Sequence, residues 1–431
     1  LDSIDIKDRK LKNGIRLITI YKPGELMNFA LGFKGGSMED PEDKKGLTHF
    51  LEHMLFTGTK KRSHDRINED LEYLGGTLDA FTDNETLTLT ITVLKEELES
   101  VMEIFSDMVM NSDFPPEETE REKKVILSEY REGLEDMELI SYDRLYEYAF
   151  PKDPLRYSVI GNEETILSLT RDDLIRRKEE TITPGNAVMV VTGPFSHAMA
   201  EETAEQYFGP WVSSEEKERV KSGRTPGKTD KKSFVKNRRG TFETFSESSD
   251  MGTVSFLYTF PELPEGYETP LKIINNRLGD SDNSLLFREI RLLRGLSYDV
   301  YSSLEIGENL KCLEIYCAAD TGDLEKIVNL IKKTVSGLKS GKYVIGKRNL
   351  EIMKKILKTN ISALPEDTQA LGNYVLSNAQ EGKPLLKYLD DLKKTGEVTE
   401  EEIKEVIDYV FKNPTIHILR GGKKDQENDE N

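Results

Sequence analysis

Cysteine is almost missing: Cys312 and Cys317 are the two in 431 residues. Two thiols cannot build a disulfide framework. They stand five apart in CLEIYC, a stretch that reads as a strand and so turns them to opposite faces. A reducing compartment is the expectation. The opening residues, LDSIDIKDRKLKNG, hold no apolar h-region, so no signal peptide is visible and a cytoplasmic location is expected. The chain begins with Leu, and its natural start can have been trimmed. No window approaches the ~18 apolar residues of a membrane-spanning helix. Positive charge is also in deficit: 60 Lys and Arg face 79 Asp and Glu, a net charge of −19. That balance removes the general basic field on which nucleic-acid binding depends. It leaves peptides, basic ones above all, as partners. Histidine occurs five times, and two of the five fall within little more than one helical turn.

What is present is a globular composition, 36% hydrophobic and 32% charged, at a length that suits two domains of about 200 residues. DRKLKNGIRLITIY predicts a hairpin turning at Asn13-Gly14. FALGFKGG is a strand running into a loop, and GLTHFLEHMLFTG a helix that stops near Gly58. SHDRINEDLEYLGG is a second helix, ended by Gly75-Gly76. TLDAFTDNETLTLTITVL alternates Thr with apolar residues and predicts a strand over 77–94. An amphipathic helix follows and stops at Pro115-Pro116; another runs from Glu117 to about Leu134. Residues 213–232 are polar, charged and without period, which predicts a linker, and 423–431 read as a disordered tail.

The second half repeats the first. The stretch from Asp79 sets beside that from Asp299, and the stretch from Leu169 beside that from Val398. The expected architecture is therefore α+β: two tandem homologous domains, 1–212 and 233–422, each a mixed or antiparallel sheet with helices packed mainly on one face.

The chemistry concentrates in GLTHFLEHMLFTGTKKRS, residues 46–63. On a helix each residue turns about 100°, so His53 lies about 40° from His49 on the same face, one turn along. Two imidazoles so placed can take two positions around one tetrahedral Zn²⁺. Glu52 then stands beside the metal, where a general base that takes a proton from water must stand. The rest of the helix is apolar nearly all round, and a buried helix carrying Glu and two His needs a reason. A pair of core histidines satisfied by hydrogen bonds is the structural alternative. A zinc site needs a third protein ligand. Glu122 and Glu129, seven apart on one face of the following charged helix, are both candidates, and spacing does not choose between them.

H-x-x-E-H is the inverted-zincin signature. With its surroundings, LEYLGGTLDAFTDNET and VILSEYREG, it resembles the family of pitrilysin, insulin-degrading enzyme and the mitochondrial processing peptidase, as a half-size, two-domain member. The resemblance extends over essentially the whole chain. It implies His49, His53 and Glu129 as zinc ligands, one Zn²⁺ per chain, with Glu52 as the base and Glu122 holding the ligands. REIRLLRGLSYDVYS resembles the family's Arg/Tyr segment, which implies that Arg291 and Tyr298 contact the substrate carbonyl and steady the oxyanion. The substrate would add as a strand along residues 77–84, against Leu78, Asp79, Ala80, Phe81 and Thr82. Asp79 stands where the family usually has Asn, an extra acid that would bias peptide choice toward basic residues or be tolerated. The matching helix of the second half, TPLKIINNRLG, has neither His nor Glu, so one chain would hold one metal site.

The function implied is zinc-dependent endopeptidase action on unfolded or short peptides inside a dimeric chamber. A homodimer is expected first, because one chain carries both the zinc motif and the Arg/Tyr segment; a heterodimer with a related chain comes second. The alternative function is a non-catalytic scaffold or peptide-binding subunit of the same family.

Overall fold

The Asn13-Gly14 turn forms as the sequence predicts, with Gly14 at φ +104°. It joins β1 (Asp5–Lys10) to β2 (Arg16–Tyr21). The computed structural model describes residues 4–212, 235–247, 250–260, 262–343 and 346–422. The expected linker at 213–232 and tail at 423–431 lie outside the described residues. These gather into two compact units: Leu1–Tyr130, Ser158–Asp230 and Ala363–Lys387 in one, Arg131–Tyr157, Lys231–Ser362 and Tyr388–Asn431 in the other.

The first unit is built on six strands in the order β1-β2-β6-β3-β5-β4. β3 is Leu26–Lys34, β4 Thr77–Thr82, β5 Thr86–Leu94 and β6 Ala187–Gly193. β2 and β6 pair in parallel and every other neighbour is antiparallel, so the sheet is mixed. The helices α1 (Leu47–Met54), α2 (His64–Tyr73), α3 (Leu98–Asn111), α4 (Pro116–Gly133) and α7 (Arg171–Thr181) belong to this unit. Its core joins Phe29, Leu31 and Phe33 of β3 to Phe50 and Leu51 of α1 and Phe105 of α3. That is the predicted pattern of helices gathered on one face.

One expectation needs correction. Residues 77–94 form two strands, because Asp83-Asn84-Glu85 turns the chain. The Asp83 carboxylate accepts from the Glu85 and Thr86 amides at 2.7 and 2.6 Å, and the Asp83 amide bonds back to the Thr86 carbonyl. An Asp that hydrogen-bonds the backbone two residues on is turn chemistry, and uniform alternation on both sides hid it. β4 is therefore an edge strand of this sheet among the described residues.

The second unit repeats the plan with five strands, β7-β11-β8-β10-β9. Here β7 is Gly240–Ser246, β8 Met251–Thr259, β9 Asp299–Ile306, β10 Lys311–Asp320 and β11 Thr415–Gly421. β7 and β11 are the parallel pair. Both cysteines lie on β10, buried and unpaired, and Cys312 Sγ comes within 3.9 Å of the Tyr146 hydroxyl.

The two units are not two contiguous halves of sequence. Helix α5 (Met137–Ala149) packs on β8 and β11, and Ser141 Oγ meets Ser255 Oγ at 2.9 Å. Helix α12 (Thr368–Gln380) packs on β3 and β6. Each sheet thus takes one helix from the other half of the chain, on the opposite face from the helical core. Neither helix has an amphipathic pattern that names its sheet, so a boundary drawn along the sequence could not show the exchange.

Beneath α5, Glu314 of β10 is enclosed. Burial first, then the negative charges of Glu305 and Glu138, push its carboxyl up to about 8. The folded state therefore holds a proton that the unfolded chain, at the ordinary 4.5, releases. The folded form binds more protons between these values, so stability falls as pH rises from about 4.5 to about 8. Glu314→Gln is expected to raise the melting temperature at pH 8–9 by an amount reflecting a few kcal/mol, with the gain vanishing near pH 4.5. Thermal melts across that range check it; an equal gain at every pH would contradict a titrating cause.

Candidate metal centre

Helix α1 starts where only glycine fits. Gly46 sits at φ +93°, and a Cβ there would stand 2.3 Å from the Ile160 carbonyl oxygen. Phe50, Leu51 and Met54 are fully buried and hold the helix against the core. Its first turn is anchored by a buried polar group: the Thr48 hydroxyl donates to Asp40 and accepts from Arg177 Nε at 2.9 Å, while Arg177 Nη2 donates to the Gly35 carbonyl. With its first turn held from two sides, α1 presents His49, Glu52 and His53 in fixed directions.

Helix α4 supplies the rest. Pro116 opens it, at a position where a missing amide proton costs nothing. Glu122 and Glu129 both turn toward α1. His53 Nδ1 lies 2.8 Å from Glu122 Oε1. That partner keeps the proton on Nδ1 and leaves Nε2 free as a ligand. Glu129 Oε2 is 3.6 Å from His53 Nε2, and Glu129 Oε1 is 3.7 Å from His49 Nε2. The two imidazole centroids are 4.6 Å apart.

The donor atoms of His49, His53 and Glu129 all lie within 4.8 Å of one another. A tetrahedral zinc with bonds of about 2.0–2.1 Å holds its donors roughly 3.4 Å apart, so the set fits zinc with only a small closure. Two nitrogens and one carboxylate oxygen leave the fourth position for water. This is the single group of its kind among the described residues, so the second unit has no counterpart there. Of the two acids that spacing left open, Glu129 faces both imidazoles and Glu122 meets the far nitrogen of one.

The electrostatics suit a dication. Burial, then the neighbouring His53, hold His49 down at about 3, so its ring is neutral at ordinary pH, as a ligand must be. Burial also pulls His53 down. The hydrogen bond that His53 donates to Glu122 and the charges of Glu52, Glu122 and Glu129 outweigh it, and the net direction is upward. Glu52 is 7% exposed. Burial raises its carboxyl above the ordinary range, with Glu129 adding to the rise and Thr82 and His53 opposing it. A carboxyl moved up toward neutrality is matched to giving and taking protons.

Glu52 is aimed by a residue for which the sequence suggested another role. Thr82, at the end of β4, donates from Oγ1 to Glu52 Oε2 at 2.7 Å. Nothing local in the sequence marks that contact, which spans 30 residues and depends on the Asp83 turn. Along β4 the half-buried Leu78, Ala80 and Thr82 alternate with the exposed Thr77, Asp79 and Phe81. Asp79 is not a bare charge, since Gln369 Nε2 of α12 donates to its carboxylate at 2.7 Å. In the second unit Arg291 and Tyr298 come together as a pair. Arg291 donates to the Tyr298 carbonyl at 3.1 Å, and its guanidinium stands 5.4 Å from the Tyr298 ring centre, while that ring is 89% exposed.

The chain is similar to known proteins. Residues 16–163 match the family model described as Insulinase (Peptidase family M16), and residues 168–367 match the Peptidase M16 inactive domain. The uncharacterized zinc protease YmxG of Bacillus subtilis is 29% identical over 369 residues, 85% of this chain and 86% of that one. The beta subunit of the mitochondrial-processing peptidase of Neurospora crassa is 30% identical over 199 residues, 46% of this chain and 42% of that one. Among solved structures, a protease from Helicobacter pylori superposes with a TM-score of 0.86 at 18% identity, covering 97% of this chain and 99% of that one. A peptidase M16 inactive domain from Pseudomonas fluorescens gives 0.84 at 17%, covering 97% and 98%. At those identities the structures speak for the fold alone. No helix among the described residues is long and apolar enough to cross a membrane.

Proposed function

Because the chain belongs to peptidase family M16, whose two domain models it matches in tandem, we propose that it is a zinc-dependent endopeptidase acting on unfolded or short peptides. The observation that carries this reading is the convergence of His49, His53 and Glu129, with Glu52 held beside them by Thr82. Zinc, when bound, acidifies water and polarises a carbonyl. The chain's own residues do the rest. Glu52 takes a proton from water on its carboxylate, whose burial raises it above the ordinary carboxylate range, and returns it to the leaving amine. Glu122 fixes the His53 ring so that Nε2 stays aimed at the metal position.

The peptide adds as a strand to the free side of β4, between Thr77 and Thr82, and the end of that strand is the residue that orients Glu52. With Gln369 already bonded to Asp79, selection of basic side chains by that acid is weakened rather than enforced. The wild-type chain should hold one zinc and cleave an unstructured peptide, with loss of cleavage on chelation and return on adding zinc. A chain that binds no metal under any of these conditions ends the proposal.

We infer further that the working form is a homodimer in which Arg291 and Tyr298 steady the oxyanion in the site of the other copy. The supporting feature is an exposed Tyr298 with an Arg already set against it. Mixing equal amounts of Glu52→Gln and Arg291→Ala chains under subunit exchange should restore about a quarter of wild-type activity, since half of the dimers are mixed and each of these has one complete site of two. Mixed dimers that remain inactive would show that each copy uses its own pair, or neither.

A further inference from the structure

The five strands of the second unit match five of the six in the first, and the match exposes a place where one unit is filled and the other is open. In the first unit Phe33 pairs with Ala187, and in the second Phe256 pairs with Ile416, each Phe facing the helical core. Residue 15 then lies beside Ala187, since Arg16 pairs with Val188, and Thr241 lies beside Ile416. Two residues back in each strand stand Asn13 and Arg239, each followed by a glycine of positive φ, +104° and +157°.

In the first unit this corner is plugged. After β6 the chain forms helix α8 (His197–Phe208) and then sets Trp211 edge-on against Phe33, with ring centroids 6.3 Å apart. Asn13 Nδ2 holds the plug by donating to the Phe208 and Trp211 carbonyls at 2.8 and 3.2 Å. In the second unit the same corner is a cleft of about 760 Å³ between the sheet and two helices, α10 (Leu324–Lys339) and α14 (Glu400–Val410). Phe256, Tyr258, Val335, Phe411 and Ile416 form its floor. Tyr258 is only 3% exposed, and burial pushes its hydroxyl up.

The rim is cationic. Arg239, Lys332 and Lys339 surround the opening against one acid, Asp408. Lys339 bonds the Phe411 carbonyl at 3.2 Å. Arg239, at the place of the plug-holding Asn13, and Lys332 make no ion pair among the described residues. In the first unit the residue eight positions into α3, as Lys332 is into α10, is the buried Ser106. The second corner therefore keeps the apolar floor that accepts an aromatic plug and adds charges that a neutral plug does not use.

We propose that this cleft is a docking site for a segment of another protein that carries an aromatic side chain flanked by carboxylates. The aromatic ring lies on Phe256 and Val335 with a polar atom near the Tyr258 hydroxyl, and the carboxylates meet Arg239 and Lys332. Two segments of this chain fit less well. Residues 423–431, KKDQENDEN, bring acids but no apolar side chain, and 213–234 carry an excess of Lys and Arg that the rim repels.

The probe is a fluorescent peptide of residues 196–212, SHAMAEETAEQYFGPWV, which has the required chemistry and the shape of the first unit's own plug. It is titrated with the full chain carrying Glu52→Gln, so that it is not consumed. Saturable binding is expected, weakened about tenfold or more by the pair Arg239→Glu and Lys332→Glu. Val335→Trp, which fills the cleft, should abolish binding, and so should replacing the peptide's Phe and Trp by Ala. Unchanged melting temperatures keep these losses separate from misfolding. Absence of saturable binding overturns the proposal. So does equal binding by the variants, which would mean exchange with α8 in its own place. A tenfold gain on truncation after Gly422 also overturns it, by making residues 423–431 the resident occupant.

Discussion

Glu52→Gln is expected to bind zinc as the wild type does and to lose peptide cleavage by about 10²–10⁴-fold, the range in which a positioned general base contributes. The two halves of that result come from different atoms. The donors that converge are His49 Nε2, His53 Nε2 and a Glu129 oxygen, so an amide at position 52 leaves the metal set intact. The Gln side-chain oxygen can still accept from Thr82, so the helix face keeps its geometry. Stability should not fall. Burial raises the Glu52 carboxyl, so the ionised form costs stability as pH rises above the ordinary carboxylate range, and a neutral amide removes that cost. Equal or higher melting temperature, unchanged zinc content and lost kcat would together assign the proton transfer to Glu52. Retained zinc with retained cleavage would remove Glu52 from the chemistry, and lost zinc would make it part of the metal's hold.

How much of this was legible before the fold can be argued residue by residue. His49, Glu52 and His53 lie within one helix, so their mutual placement follows from a rotation of about 100° per residue. Glu122 and Glu129 also share a helix face by spacing alone. What spacing could not supply is the relation between the two helices. It is set by the packing of α1 and α4 into the core, where Leu51 and Ile126 are both almost fully buried. The resemblance to a known family implied that relation, and the structure brings Glu129 to 3.6 and 3.7 Å and Glu122 to 2.8 Å from the imidazoles. The bond from Thr82 to Glu52 has no mark in the sequence. The alternation over 77–94 reads the same on either side of the Asp83 turn, and only the turn brings Thr82 to the end of an edge strand facing Glu52. The exchange of α5 and α12 was invisible for a related reason. A helix that covers a second face of a sheet needs only modest apolar character, and pattern alone does not tell it which sheet to cover. The duplicated design was legible as repeated stretches, but the open corner of the second unit was not. Lys332 on an amphipathic helix looks like any solvated lysine until the buried Ser106 of the first unit is set beside it.

His53→Ala is expected to abolish stoichiometric zinc binding and all cleavage, and Glu122→Gln to weaken zinc by about 10–100-fold while leaving measurable activity at saturating metal. The order follows from what each side chain holds. In the proposed site His53 would give Nε2 to the metal while Nδ1–H meets Glu122, so its removal would delete one of three donors and leave a largely buried carboxylate without its partner. With two donors left, nothing fixes tetrahedral closure around the ion. Glu122 donates no atom to the metal set. As a carboxylate it holds the Nδ1 proton and makes Nε2 a better base; as an amide its oxygen still accepts, so the ring keeps its direction while losing basicity. Glu129→Gln tests the other side of the same geometry. That side chain is half exposed and faces both imidazoles, so its loss should resemble His53→Ala in metal content while costing little stability. Competitive chelator titration of the three variants gives the ranking. If Glu122→Gln released zinc as completely as His53→Ala, Glu122 would have to be a ligand. If Glu129→Gln held zinc at wild-type affinity, the donor set would have to be redrawn around another oxygen.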